Sequence, residues 1–296
     1  MTTELANDVT GPPPVGISAW LGRIVCGDNT EVLSGFPAEC VDLVVTSPPY
    51  DDLRTYGGHS WNFETLAAQL VRVLKPGGVI VWVVADATVN GSETGTSLRQ
   101  ALHFKDVCGL RLHDTMAYLT NKPPLTHNRY EQAWEYMFVL SKGTPKAWNP
   151  LKEPSKYAGQ KRCATMRQDG DELNGRSAKG AVQDDRLLTN AWYLPRSSKT
   201  DDAIRAEHPA TFPDDLARRH IVSWSNPGDV VLDPFSGSGT TCKCAKELNR
   251  NFVGIEVEPK YCAIAEARLS QDVLQLETCA MRPNAAGEPP ATKTQQ

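Results

Sequence analysis

The sequence predicts an α/β fold with a mostly parallel, twisted sheet. Three observations carry this: short apolar runs rich in Val, helical apolar stripes between them, and proline- or glycine-bearing exits where the runs end. Val41 to Val45, Val79 to Ala85 and Val230 to Leu232 are the clearest runs. Strands covered on both faces read this way because neither side-chain direction meets water. Between the first two runs, Leu66, Leu70, Val71 and Leu74 fall on one helical face.

Taken in order, Met1 to about Ala19 contains Gly11-Pro12-Pro13-Pro14 and little periodic apolar content, and reads as a flexible leader. Ile24-Val25-Cys26 forms a short strand that ends at Gly27-Asp28. The Asp28 carboxylate can accept hydrogen bonds from a ligand, or it can cap the helix expected at Thr30 to Leu33. The Val41 to Val45 strand leaves through Thr46-Ser47-Pro48-Pro49-Tyr50. Two prolines lack the N–H groups a ladder needs and fix their own φ, so the chain must exit there in a rigid, extended turn. A polar loop follows to Trp61. The Phe63 to Leu74 helix is expected to stop at Lys75-Pro76-Gly77-Gly78. A weaker helix is expected over Thr96 to Cys108, and strands over Leu110 to Leu119 and Glu131 to Leu140.

From Thr144 to about Arg205 the periodicity is lost, as in functional or mobile segments, so that residues 144–205 separate a patterned stretch at 20–143 from another at 206–275. Pattern resumes with a helix from Pro213 through Leu216, His220, Ile221 and Trp224, followed by the turn Asn226-Pro227-Gly228-Asp229. The strand Val230 to Leu232 exits through Asp233-Pro234-Phe235-Ser236-Gly237-Ser238-Gly239-Thr240-Thr241. A helix to about Leu248, a strand Phe252 to Ile255 ending at Glu256, and a helix from Pro259 to about Leu274 complete the pattern. The tail at 276–296 is expected to be disordered.

Composition sets the class. The 296 residues carry a net charge of -4 and are 40% apolar, an ordinary globular balance. No apolar stretch approaches the roughly 20 residues that span a bilayer, and the first residues lack a signal-peptide pattern. A cytoplasmic protein is expected. The eight cysteines include no Cys-x-x-Cys and the histidines show no ligand-like spacing, so reduced, packed thiols are expected and no metal. Between Lys142 and Arg205 there are 13 Lys and Arg against 8 Asp and Glu, a local surplus of +5 on an acidic chain. Such a surplus suits a polyanionic partner or a solvated loop surface.

Two constellations carry chemistry. Strand, glycine-rich turn, helix, strand and terminal acid form a nucleotide-cradling unit, with Asp233 and Glu256 at neighbouring strand ends 23 positions apart. The dinucleotide fingerprint fails because Cys242 stands where its third glycine belongs, and no Walker lysine follows Gly239. A carboxylate at Asp233 suits a cationic or hydroxyl-bearing ligand better than a pyrophosphate. At the other exit, Ser47, the backbone carbonyls and the Tyr50 ring can hold an amine and stack on a flat ring.

With these residues in hand, the chain resembles the beta group of S-adenosylmethionine-dependent DNA amino-methyltransferases, over roughly Ile24 to Leu269. Asp233 to Thr241 is similar to the family's cofactor loop, Phe252 to Glu256 to its ribose-binding strand end, and Thr46 to Tyr50 to its catalytic motif. Gly27-Asp28 resembles the segment at the cofactor adenine, and His208-Pro209-Ala210-Thr211-Phe212-Pro213 the segment beside the methionine moiety. The resemblance implies a Rossmann-like methyltransferase fold with circularly permuted motif order and an inserted target-recognition region. It further implies S-adenosylmethionine as cofactor and double-stranded DNA as substrate, with a restriction endonuclease sharing the site as a candidate partner. Asp28, Thr46, His208, Pro209, Asp233, Pro234, Phe235, Ser236, Gly237, Ser238, Gly239, Thr240, Thr241 and Glu256 would bind cofactor. Ser47, Pro48, Pro49 and Tyr50 would act on an extruded base. Ser47 before the prolines favours cytosine N4 over adenine N6. The lack of a cysteine beside the prolines fits direct transfer to an amine. Asn128-Arg129-Tyr130-Glu131 resembles a less specific region near the base pocket.

Overall fold

The structure, a computed structural model, describes residues 16–49, 61–120, 130, 132–160, 182–194 and 213–270, and the backbone of 165–169 and 172–176. Its strands are β1 (Arg23–Cys26), β2 (Val41–Thr46), β3 (Leu74–Val84), β4 (Thr88–Val89), β5 (Ser92–Glu93), β6 (Arg111–Leu119), β7 (Trp134–Ser141), β8 (Lys152–Pro154), β9 (Thr165–Asp169), β10 (Glu172–Arg176), β11 (Asp185–Leu187), β12 (Ala191–Tyr193), β13 (Val230–Asp233) and β14 (Asn251–Glu256). The helices are α1 (Asn29–Ser34), α2 (Phe63–Val73), α3 (Thr96–Leu102), α4 (Asp214–Trp224), α5 (Thr240–Glu247) and α6 (Pro259–Ser270). The leader to residue 15 and the tail from 271 lie outside the described residues.

Eight strands make one sheet in the order β1-β14-β13-β2-β3-β7-β6-β12. The five from β1 to β3 pair parallel, β7 runs antiparallel to both neighbours, and β12 is parallel to β6. The expected mostly parallel sheet is therefore present, and five adjacent strands end along one edge. That edge is where an open α/β sheet collects ligands.

The apolar runs become strands because both faces are covered. Every residue of β2 is buried. On one face, Leu66, Leu70 and Val73 of α2 pack with Leu33, Val44, Ile80, Trp82, Phe104 and Phe138 in a single core. Across the other, α4 lies against β2 and against α5. Asp42 is the one charged side chain in β2. Its Oδ2 accepts from Lys75 Nζ at 2.6 Å and from Val230 N–H at 2.9 Å, so the buried carboxylate is partnered.

Two boundaries differ from the sequence expectation. Strand β3 starts at Leu74 rather than Val79, because Leu74 already pairs with Val41 before the register shifts to Leu43 and Val79. Lys75-Pro76-Gly77-Gly78 is thus an irregularity inside a strand, with Gly77 at φ +79 donating to Lys142 O. The Thr96 to Cys108 helix is split into α3 and a π-helical turn, His103–Val107.

The described residues of 150–188 form a smaller unit by themselves, in which β8 pairs with β11 and β9 with β10, both antiparallel. The larger unit holds 16–149 and 189–270 of the described chain. The sequence marks 144–205 as one insertion. In the structure, Ala191–Tyr193 pairs with β6 and so belongs to the main sheet. A three-residue strand is too short to show any period in sequence.

Candidate active site

The glycine-rich turn is built by its neighbours. Ser236 N–H donates to Ile255 O at 2.9 Å, Gly239 N–H to Ser236 O at 2.8 Å, and Gly237 N–H to Glu256 Oε2 at 2.8 Å. Gly239 caps α5 at φ +78, a conformation that side chains resist, and a Cβ there would lie 2.9 Å from Ala265 Cβ. Gly254 on β14 is as tightly confined, since its Cβ would fall 2.6 Å from both Ile24 Cδ1 and Ser236 Oγ. The turn is held against strand and helix with no spare room, and residues 236–240 are buried.

Two carboxylates flank the turn in different environments. Glu256 is half-buried; Oε1 accepts from Glu258 N–H at 2.9 Å and Oε2 from Gly237 N–H. The Val257 N–H donates to this carboxylate as well, so backbone donors hold it in one orientation. Burial raises the Glu256 pKa against these hydrogen bonds. Asp233 is 1% exposed and lies beneath the turn rather than at its mouth. Its Oδ1 accepts from Thr46 Oγ1 at 2.7 Å and from Phe235 N–H at 3.1 Å. Burial drives its pKa up to about 6, opposed by hydrogen bonds from Thr46, Thr241 and Phe235 and reinforced by the Glu256 charge.

The Thr46 bond joins the two constellations. Residues 187 positions apart meet where β2 and β13 leave the sheet side by side. Thr241 adds a second tie, donating to Val45 O at 3.2 Å. Ser47 and Pro49 are partly accessible beyond this link and Pro48 is buried. Asp28 is the N-cap of α1, its Oδ1 accepting from Thr30 and Glu31 N–H at 2.8 and 3.0 Å. Both roles weighed from sequence stay compatible, because the cap uses Oδ1 alone. Tyr50, His208 and Pro209 lie outside the described residues, as do Asn128, Arg129 and Glu131.

Three supporting residues escape a sequence reading. Arg268 on α6 is 2% exposed and donates through Nη1 to Ser238 O, Ser238 Oγ and Thr240 Oγ1 at 2.5, 3.2 and 3.3 Å. Its signal is a cation in line with Ile264 and Ala265 on the buried stripe of α6. Asn29, buried in α1, donates to Pro234 O at 3.3 Å. Trp61 meets Phe235 edge-on at 5.0 Å and touches the core through Trp82, so Phe235 is both turn residue and packing residue.

The profile of a DNA methylase family, that of the N6 and N4 enzymes, matches residues 41–267, from the proline-rich exit through the glycine turn and Glu256. The chain belongs to the N6/N4 DNA methylase family. The orphan methyltransferase M.BamHII of Bacillus amyloliquefaciens is 47% identical over 241 residues, 79% of this chain and 90% of that one. The type II methyltransferase M.BglII of Bacillus subtilis is 33% identical over 284 residues, 84% and 69% of the two chains. Among solved structures, TTHA0409 of Thermus thermophilus, a candidate DNA modification methylase, superposes with a TM-score of 0.58 at 26% identity, covering 86% of this chain and 96% of that chain. The PvuII DNA methyltransferase, cytosine-N4-specific, shares the fold with a TM-score of 0.62 at 22% identity over 85% and 90% of the chains. The methyl donor of this DNA methylase family is S-adenosylmethionine. A tightly held glycine turn with the Glu256 carboxylate beside it fits that molecule, and the Asp233 carboxylate under the turn disfavours a phosphate.

Proposed function

We propose that this DNA methylase transfers a methyl group to the N4 amine of a cytosine extruded from double-stranded DNA. The Thr46 to Asp233 hydrogen bond carries the reading, because it holds the start of the Ser47-Pro48-Pro49 exit against the glycine turn. An amine held at the first would face a ligand held at the second. When bound, S-adenosylmethionine supplies an electrophilic sulfonium methyl. Glu256 would hold its ribose and Asp28 its adenine, with the turn from Pro234 to Thr241 lying along it and His208-Pro209 near the methionine end.

Ser47 Oγ and the Pro48 carbonyl would accept hydrogen bonds from the exocyclic amine, while Tyr50 stacks on the ring. The amine lone pair is delocalised into the base. Holding both N–H bonds in a pyramidal arrangement would draw that lone pair out of conjugation and aim it at the incoming methyl, which lowers the barrier. Ser47 at the head of the exit supports cytosine over adenine, and the basic surplus between Lys142 and Arg205 supports a duplex partner. Nucleosides from DNA of cells expressing the protein, digested and weighed by mass spectrometry, should contain N4-methylcytosine. N6-methyladenine in its place would overturn the choice of base but not the chemistry. A cognate endonuclease would be recognised by its failure to cut DNA that this enzyme has modified.

A further inference from the structure

Strand β1 is the edge of the main sheet, and its last residue, Cys26, pairs with Glu256 at the end of β14. Helix α6 lies against β1 and brings Cys262 to the same place. The Cys262 Sγ donates to Glu256 O at 3.4 Å, and the Cys26 Sγ lies 4.0 Å from Val257 O, the next carbonyl along. The two thiols are also within hydrogen-bond reach of each other. Among the described cysteines only Cys26 is exposed, whereas Cys262 is buried. Burial first, and then the contact with Cys26, pushes the Cys262 pKa up, so that thiol keeps its proton. An accessible thiol with a buried one beside it is the arrangement that thiol–disulfide exchange uses, an attacking sulfur and a resolving sulfur.

The backbone that both sulfurs touch is the backbone that aims Glu256. Its carboxylate is held by the N–H groups of Gly237, Val257 and Glu258. Gly27 N–H, next to Cys26, donates to Glu256 O at 2.9 Å, and Asp28 follows. Closing the sulfurs to bond length draws the end of β1 and the first turn of α6 together over residues 256–258, which displaces the donors that orient the Glu256 side chain. Glu256 and Glu266 both act on the Cys262 thiol through their charges, so an anionic reagent is disfavoured there.

We propose that Cys26 and Cys262 form a modification site for small, uncharged disulfides, and that closure to a Cys26–Cys262 bond weakens S-adenosylmethionine binding. The effect on the cofactor rests on the reading of Glu256 as the ribose-binding acid. The Cys26 sulfur loses its proton and attacks one sulfur of the reagent, and the thiolate that leaves takes up that proton. The Cys262 sulfur then gives up its proton and attacks the Cys26 sulfur, and a second thiol departs with it. Both protein thiols are oxidised to one disulfide, and the reagent disulfide is reduced to its thiols.

Full-length protein incubated with hydroxyethyl disulfide in the absence of S-adenosylmethionine, quenched in acid, alkylated and mapped by peptide mass spectrometry tests the site. Wild type should pass through an adduct on Cys26 to a peptide pair joined through Cys26 and Cys262, which dithiothreitol reverses. Cys262→Ser should stop at the Cys26 adduct, and Cys26→Ser should leave Cys262 unmodified. In calorimetry the linked protein should bind S-adenosylmethionine about tenfold or more weaker than the reduced protein, as for the loss of a hydrogen bond to a charged group. Cys26→Ser should show one affinity before and after the reagent. A wild type in which both thiols remain open to alkylation, or which stops at the Cys26 adduct as Cys262→Ser does, would overturn the pair. Equal affinity of the linked and reduced proteins would overturn the effect on the cofactor. Peptide mapping needs no cofactor, so the pair can fail while Glu256→Ala still weakens S-adenosylmethionine binding, and the Glu256 reading can fail while the linked pair forms.

Discussion

At Asp233, one buried carboxyl does two jobs that pull its titration in opposite directions. Desolvation raises its pKa to about 6, and the bonds from Thr46, Thr241 and Phe235 restrain the rise. A carboxyl with a folded pKa above the unfolded value of about 3.9 favours folding when protonated. Its contribution is therefore full below about pH 4 and is lost as pH rises through about 6. The gap between the two pKa values corresponds to about 3 kcal/mol. Asp233→Asn keeps an acceptor for Thr46 but cannot ionise. Urea unfolding from about pH 4 to 7 should show wild type losing about 3 kcal/mol relative to the variant, and a constant difference would refute the burial account. Ser47 and Glu256 should separate along another axis. Ser47→Ala is expected to cut the transfer rate by one to three orders of magnitude with little change in S-adenosylmethionine affinity, as for loss of an oriented hydrogen bond. Glu256→Ala should chiefly weaken cofactor binding by calorimetry, and equal loss of affinity in both would contradict the assignment. The type of each of these residues is legible in sequence. The 2.7 Å link from Thr46 to Asp233 is not, because it spans 187 positions.

Among the elements, the glycine turn is fixed by what presses on it. Gly239→Ala combines a left-handed backbone with a 2.9 Å approach to Ala265, so destabilisation by about 1–3 kcal/mol is expected in urea, together with weaker S-adenosylmethionine binding. Ala265→Gly in the same chain should recover the steric part and leave the backbone part. Full recovery would show that the positive φ costs nothing here. The strands and helices around the turn are readable because they are buried on two faces or one and keep a regular period. The Lys75 to Gly78 segment reads from sequence as a helix stop, and α2 does end just before it at Val73; the difference is that β3 already begins at Leu74. Proline and glycine do mark a break in regular pairing, but Val41 and Leu43 pair on either side of it and the strand runs through.

For the molecule as a whole, charge is divided in a way that suits a two-part task. The +5 surplus from Lys142 to Arg205 sits on a chain whose remainder is acidic, so positive charge is concentrated rather than spread. Lys152 and Lys156, both exposed, lie in the smaller unit. Replacing each by Gln should weaken duplex binding similarly across sequences, and the slope of log affinity against log salt should fall by about one for each side chain that contacts a phosphate. The S-adenosylmethionine affinity should not move. An unchanged salt slope in the double variant would remove these two lysines from the DNA interface.

The sequence by itself determined the fold class, the two chemical constellations and their order along the chain. Those features are local: apolar period, glycine and proline at exits, an acid at a strand end. Only the tertiary structure decided that Asp233 is a buried strut, that Arg268 and Asn29 hold the turn from outside it, and that Ala191–Tyr193 joins the main sheet. It also set Cys26 and Cys262 against one stretch of backbone, residues 256–257. Each of these depends on segments distant in sequence lying side by side, as strands do at about 4.8 Å, and spacing along a chain carries no record of that.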